Sequence, residues 1–287
     1  IMLAAFNQLG YSVEWRVINA ADYGRAQRRR RVFFFVFRND TKWGERLHTK
    51  YEATLSNDAD LNARLDCYAP YIFEDGLFGR QFPVKNEAVK KRINANKLDE
   101  DIAEVSANFS DGKMWNSGLM TNGYYYTIET EPKGDEEPIP MKKIVVKENQ
   151  VPEDYYVDGE KLEKFKYLRG PKKITRTAAN GHTYTFSEGG MSEYDSLELP
   201  GRTMLTSEGS VNRSTHLLKI DGKYRLITPI EAERLQDFPD DWTRYKRNAK
   251  GEVVEVSDRM RMFFMGNALV TGIVKRIGDE LQKIDAI

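Results

Sequence analysis

The segment Asn19-Ala20-Ala21-Asp22-Tyr23-Gly24-Arg25-Ala26-Gln27-Arg28-Arg29-Arg30-Arg31 decides how this chain is read, because apolar stretches of strand character enclose it on both sides. Before it, Val13, Trp15 and Val17 alternate with Glu14 and Arg16, the period of a half-buried strand. After it, Val32 to Phe37 run without a polar residue, which suits a strand covered on both faces. A polar, arginine-dense loop between two core strands has its side chains pinned. Arg29 and Arg31, two apart at the start of the second strand, are expected on one side. Upstream, Leu3, Phe6 and Leu9 form a helical apolar pattern ended by Gly10, with no cap residue before it, so the chain reads as beginning inside an element.

Working outward, the 287 residues hold 44 Lys and Arg against 44 Asp and Glu, with 40% apolar residues, which excludes disorder throughout. No run approaches the roughly 18 to 20 apolar residues of a membrane span, and no signal segment opens the sequence. The single cysteine, Cys67, can form neither an internal disulfide nor a thiolate zinc cluster, so no metal site is expected and a reducing, cytoplasmic compartment is the reading. A net charge of zero hides local fields. Residues 1–50 carry ten Lys or Arg against four acids, whereas the stretch from Glu129 to Lys164 holds Asp135-Glu136-Glu137 and Asp158-Gly159-Glu160. One pole can face phosphates while another is solvated.

Between residues 41 and 200 the pattern is weaker. Asn86 to Phe109, rich in Lys, Asp and Ala, reads as helical pieces, Tyr124 to Ile128 as a strand whose tyrosines belong to a core, and Glu131 to Pro140 as a loop. Order returns at Thr228-Pro229-Ile230-Glu231, a capping box with Pro at the first helical position, stopped by Phe238-Pro239. The last helix carries one apolar stripe of Leu269, Ile273, Val274, Ile277, Leu281 and Ile284.

Four successive arginines taken alone are a solvated basic face or a generic phosphate contact. Framed by two strands, they suit planar, bidentate hydrogen bonding to a base or phosphate. The small polar run from Thr203 to Ser214 suits groove contact, since short hydroxyl and amide groups approach base edges while Arg202 and Arg213 reach further. Gly266-Asn267-Ala268, placed at the entry of the final helix, reads by itself as a plain helix cap.

Asn19 to Val32, with its Gln27-x-Arg29-x-Arg31 core, resembles the eighth conserved block of the C5-cytosine DNA methyltransferases. Arg225-Leu226-Ile227-Thr228-Pro229-Ile230-Glu231 through Phe238-Pro239 resembles the ninth block, Met265-Gly266-Asn267-Ala268 the tenth, and Pro200 to His216 the close of the recognition region in bacterial members. The sequence departs from the family pattern at Arg25, and at Asp237, where glycine is common. The family's Phe-x-Gly-x-Gly cofactor loop, Pro-Cys-Gln nucleophile and Glu-Asn-Val acid do not occur in these residues, and Cys67 is in the wrong context to be the nucleophile.

The resemblance implies a carboxyl-terminal portion of such an enzyme, inactive alone. Its fold is expected to be α/β: the closing strands and last helix of a Rossmann-like methyltransferase sheet, with an inserted mixed α+β target-recognition domain. Residues 1–40 would end the catalytic domain, 41–257 form the recognition domain, and 258–287 return to the catalytic domain. Gln27, Arg29 and Arg31 would be catalytic: Arg31 on the cytosine edge, Arg29 supporting the nucleophile and the flipped nucleotide, Gln27 bracing the loop. Gly266, Asn267 and Ala268 would close the S-adenosylmethionine pocket, and Arg28, Arg202, Thr203, Ser210, Asn212, Arg213 and Ser214 would contact DNA. The implied partners are double-stranded DNA, the missing amino-terminal catalytic segment and a cognate restriction endonuclease. The alternative from another class is a non-catalytic, sequence-specific DNA-binding module.

Overall fold

The structure, a computed structural model, describes residues 1–56, 58–86, 92–98, 101–107 and 114–285. Packing divides the chain into two compact units, one of Ile1–Tyr23, Arg30–Glu136 and Ile273–Ile287, the other of Gly24–Arg29 and Glu137–Gly272. The arginine loop is thus split. The chain leaves the first unit after Tyr23, runs through Gly24–Arg29 in the second, and returns at Arg30.

In the first unit, helix α1 (Met2–Gln8) stops before Gly10, whose φ of +76° is open to glycine without strain. Strand β1 (Tyr11–Asn19) pairs antiparallel with β2 (Arg30–Arg38), in register from Tyr11 opposite Arg38 to Asn19 opposite Arg30. Helices α2 (Lys42–Tyr51), α3 (Leu61–Pro70) and α4 (Leu77–Gln81) follow, with a π turn at Tyr71–Asp75. Strand β3 (Ile93–Lys97), the short helix α5 (Ile102–Ala107), and the hairpin of β4 (Ser117–Thr121) and β5 (Tyr124–Ile128) complete a five-stranded antiparallel sheet ordered β2-β1-β4-β5-β3. Asn122 and Gly123 turn the hairpin with both φ angles positive, as a tight two-residue turn requires. Phe37, Trp43, Leu47, Tyr68 and Tyr126 pack together in one core cluster, and Leu3, Val13, Trp15, Met120 and Tyr125 in a second.

Three expectations are corrected here. Glu14 and Arg16 are buried rather than solvated, because β1 is an interior strand. The Glu14 carboxylate accepts from Leu77 N at 3.0 Å, Phe78 N at 2.9 Å and the Tyr71 hydroxyl at 3.1 Å. Arg16 donates to the carbonyls of Ile72, Phe78 and Phe82. The pair satisfies buried backbone groups at both ends of α4, whose Leu77, Phe78 and the following Phe82 are buried. Strand β2, expected to be covered on both faces, is a sheet edge with Val32 49% and Phe34 43% exposed. Within Asn86 to Phe109, Ile93–Lys97 is a strand and only Ile102–Ala107 a helix, while residues 87–91, 99–100 and 108–109 lie outside the described residues.

The second unit holds β6 (Tyr156–Val157), α6 (Gly159–Arg169), the hairpin of β7 (Lys172–Thr177) and β8 (Thr183–Glu188), β9 (Leu217–Ile220), β10 (Lys223–Leu226), α7 (Pro229–Leu235), β11 (Tyr245–Arg247), β12 (Val253–Glu255) and α8 (Asp258–Asn267). Its core joins Ala26, Met204, Leu218, Leu235, Met262 and Met265. The capping box forms as read: Glu231 N donates to the Thr228 hydroxyl, and Glu231 Oε2 accepts from Thr228 N at 2.7 Å. Glu231 also holds buried Arg225 at 2.8 Å, so these residues organise the fold.

Helix α9 (Thr271–Asp285) ends the described chain. Its stripe is only partly covered, with Ile273 buried, Ile277 half-buried, and Val274 and Leu281 exposed. The side chain of Ile284 lies outside the described residues, and Leu269 precedes the helix. Buried on α9 instead is Glu280, which accepts from Arg80 at 3.0 Å and Gln81 at 2.8 Å. The fold class is mixed α/β with a central antiparallel sheet. Every strand pair among the described residues is antiparallel.

Candidate nucleic-acid interface

Three stretches distant in sequence meet at Gln27 and Arg29. Gln27 is fully buried; its Nε2 donates to Leu235 O at 3.1 Å, and its Oε1 accepts from Met204 N at 3.0 Å. A parallel bridge to Gly201 is closed by Gly201 N to Ala26 O at 2.7 Å and Arg28 N to Gly201 O at 2.8 Å. Arg29, 3% exposed, donates to Met204 O and Gly266 O, both at 2.9 Å, and to Gln27 Oε1 at 3.4 Å. One guanidinium thereby satisfies carbonyls of the 204 loop and of the end of α8, each of which would otherwise be an unpaired buried acceptor. Gly266 sits so close to the backbone of Leu205 and Thr206 that a Cβ would collide with it.

The two arginines read as a pair have different surroundings. Arg29 precedes β2 and is consumed by backbone carbonyls. Arg31 lies on β2 opposite Ile18, half-buried, and donates to the carbonyl of its neighbour Arg30 at 2.7 Å. Arg28 is exposed, and its carbonyl accepts the Thr203 hydroxyl at 2.6 Å.

The residues from Arg202 to His216 form a braced loop. Asp195 accepts from Arg169 at 2.8 Å, from Arg202, and from Leu217 N at 2.9 Å. Burial alone would raise the Asp195 pKa, but the Arg202 hydrogen bond and the charges of His216, Arg202 and Arg169 hold it well below the usual carboxylate range. Arg213 is tied to Glu188 at 2.9 Å and to Leu168 O at 3.1 Å. Asn212 anchors the turn: its Nδ2 donates to Ser207 O at 3.0 Å, and its Oδ1 accepts from Ser214 N at 2.8 Å. The Ser210 hydroxyl donates to Ser207 O at 2.8 Å. Thus Arg202, Arg213, Ser210 and Asn212 spend polar groups on the loop's own shape. Sequence reading missed the base of this loop, where Glu208 Oε1 accepts from His216 N at 2.6 Å and lies 3.0 Å from His216 Nδ1, both side chains being buried.

The placement of Gly266-Asn267-Ala268 is corrected. The triplet closes α8 rather than opening the last helix, which begins at Thr271. Ala268 N is used within α8, donating to Phe264 O at 2.9 Å, so it caps the end of α8 and is not a free amide at a helix start. Asn267 remains exposed, its Nδ2 donating only to Phe263 O at 3.2 Å.

The two departures from the family pattern face each other. Asp237 has a φ of +59°, the region that favours glycine, and its carboxylate lies 3.5 Å from Arg25. Burial raises its pKa, against which Arg25 and a hydrogen bond from Gly272 act.

Among the described residues no His, Cys, Asp and Glu group could hold a metal, and no helix is long and apolar enough to cross a membrane. Residues 1–283 match the family described as C-5 cytosine-specific DNA methylase. The type II methyltransferase M.Sau3AI of Staphylococcus aureus is 48% identical over all 287 residues, which correspond to 62% of that protein. With Gln27 and Arg29 holding the backbone at Met204 and Gly266, and with that match running almost from end to end, the chain belongs to the C-5 cytosine-specific DNA methylase family.

Proposed function

We propose that these residues form the DNA-reading and ring-contacting part of a DNA (cytosine-5)-methyltransferase of a restriction-modification system. The observation that carries this is the joining, through Gln27 and Arg29, of the arginine loop, the 204 loop and the turn at Gly266, while Arg31 and Arg28 keep side chains toward solvent. The chain spans 62% of its relative's length. The thiolate that attacks cytosine comes from outside these residues, since Cys67, on α3, donates its thiol to Tyr51 O at the end of α2 and belongs to no Pro-Cys-Gln. By role, residues 1–40 end the catalytic domain, 41–257 read the target, and 258–287 return to the catalytic domain.

C5 of cytosine is a weak nucleophile, and adding a thiolate at C6 makes it enamine-like. S-adenosylmethionine, when bound, supplies the electrophilic methyl group of a sulfonium. Asn267, exposed beside Gly266 and Ala268, offers a side-chain carbonyl that accepts no hydrogen bond among the described residues, which suits the turn to that pocket. Arg31 donates to the edge of the flipped cytosine near O2, where charge builds as C6 is attacked. Gln27 and Arg29 act on the reaction by fixing the loop that aims Arg31. Arg28 and Thr203 meet phosphate at the same loop, and Arg202, Ser210, Asn212, Arg213 and Ser214 shape the segment that approaches bases. Double-stranded DNA, the nucleophile-bearing segment and a cognate endonuclease are the partners.

Bisulfite sequencing of DNA treated with the enzyme containing this chain tests the reading. Protected cytosines confined to one short sequence are expected, and complete conversion under conditions of proven methyl-donor turnover refutes it.

A further inference from the structure

Beside the recognition loop the second unit carries a cleft of about 780 Å³, between residues 206–210 and the first turns of α8. Thr206, Ser207, Ser257 and Arg259 line it with polar side chains, Met260 and Phe263 with apolar ones, and Ser210, whose hydroxyl donates to Ser207 O, stands at its edge. No carboxylate lines it. Glu208, the acid of the loop, turns inward to His216, and Asp258 accepts from the Tyr155 hydroxyl. Arg259 is exposed and makes no hydrogen bond or ion pair among the described residues, in contrast to Arg202 and Arg213, which the fold uses internally.

A long cation without a partner, hydroxyl donors without a competing acid, and an apolar side next to a DNA-reading loop match the chemistry of a nucleic-acid strand, with phosphate oxygens to accept and sugar or base faces to cover. We propose that this cleft seats the backbone of a DNA strand, with Arg259 as the phosphate contact and Ser257 and Phe263 beside it. This rests on the methyltransferase reading and deepens it, because it puts a DNA contact on the helix that ends in the Gly-Asn turn, outside the segment 202–214. A strand anchored at Arg259 ties the position of α8 to occupancy of the recognition loop.

The test is DNA binding by the 287-residue chain, measured by fluorescence anisotropy with a labelled duplex between 50 mM and 500 mM salt. Arg259→Ala is expected to bind roughly tenfold more weakly at 50 mM salt, with the slope of log affinity against log salt reduced by about 1, irrespective of duplex sequence. Arg259→Lys should keep most of the slope, Arg259→Glu should lose more than Ala, and Lys275→Ala, an exposed cation on α9, should match the wild type. Unchanged affinity and slope in Arg259→Ala, with a wild type that binds, overturns the proposal alone. A folded wild type that binds no duplex overturns the DNA-reading role proposed for these residues, and the proposal with it.

Discussion

Replacing Arg29 and Arg31 separately should split a run of arginines into a fold determinant and a reaction determinant. Arg29→Ala removes two charge-assisted hydrogen bonds at 2.9 Å and leaves the carbonyls of Met204 and Gly266 buried without donors. Hydrogen bonds to a charged group are worth about 1.5 to 3 kcal/mol each, so the two together cost about 3 to 6 kcal/mol. Arg31→Ala removes one bond to its neighbour's carbonyl from a half-buried side chain and should change stability by less than about 0.5 kcal/mol. In turnover the order reverses for the properly folded fraction. Arg31→Ala should lower methylation by a factor on the order of 100, equivalent to about 3 kcal/mol of transition-state stabilisation, with a smaller effect on DNA affinity. Urea unfolding followed by tryptophan fluorescence measures the first quantity, and methyl incorporation by the complemented enzyme measures the second. A loss below about 1 kcal/mol for Arg29→Ala, or equal destabilisation by both changes, would refute the division of labour.

Other outcomes follow from the same geometry. Asp195→Asn breaks a buried ion pair with Arg169 and Arg202 and should cost about 3 to 5 kcal/mol at neutral pH, read as a shift in the urea midpoint. Because the folded pKa of Asp195 lies below its unfolded value near 3.8, its contribution is present above that pH and drains as pH falls below it; the wild type should lose stability more steeply than Asp195→Asn as pH falls below about 4. In a double-mutant cycle, Arg25→Ala and Asp237→Gly should show a coupling of about 1 kcal/mol, since glycine relieves the positive φ but leaves Arg25 without its carboxylate; additive thermal shifts would show that the two sites are independent. Gly266→Ala should cost about 1 to 3 kcal/mol, because a methyl group there meets the Leu205–Thr206 backbone, and hydrogen exchange of residues 204–206 should speed up with it.

Local signals carried the outline of the fold where the physics is local. Gly10 ends α1, Thr228-Pro229-Ile230-Glu231 starts α7, and two strands flank the arginine loop, because capping, proline geometry and apolar runs act over a few residues. Failures came where tertiary partners decide. Glu14 and Arg16 look solvated by period alone, yet their partners are backbone groups 56 to 66 residues away. Val32 to Phe37 looks doubly covered, but the run says nothing of which edge of the sheet it occupies. In the site, Gln27 and Arg29 were legible as special residues, while the carbonyls they hold, at 204, 235 and 266, carry no side-chain signal. Arg202 and Arg213 drew attention by charge, although Asp195 and Glu188, which occupy them, are ordinary acids in sequence. Arg259 carried no signal, since only the folded cleft shows it without a partner among the described residues.

On the proposed division of chemistry, these residues aim the arginine loop and read DNA while the thiolate nucleophile comes from elsewhere. Methyl transfer from labelled S-adenosylmethionine to DNA measures this directly, with the 287-residue chain alone and with a segment carrying Pro-Cys-Gln added in trans. The expected result is no incorporation by the chain alone and 5-methylcytosine when the two are combined. Robust incorporation by the chain alone would contradict it.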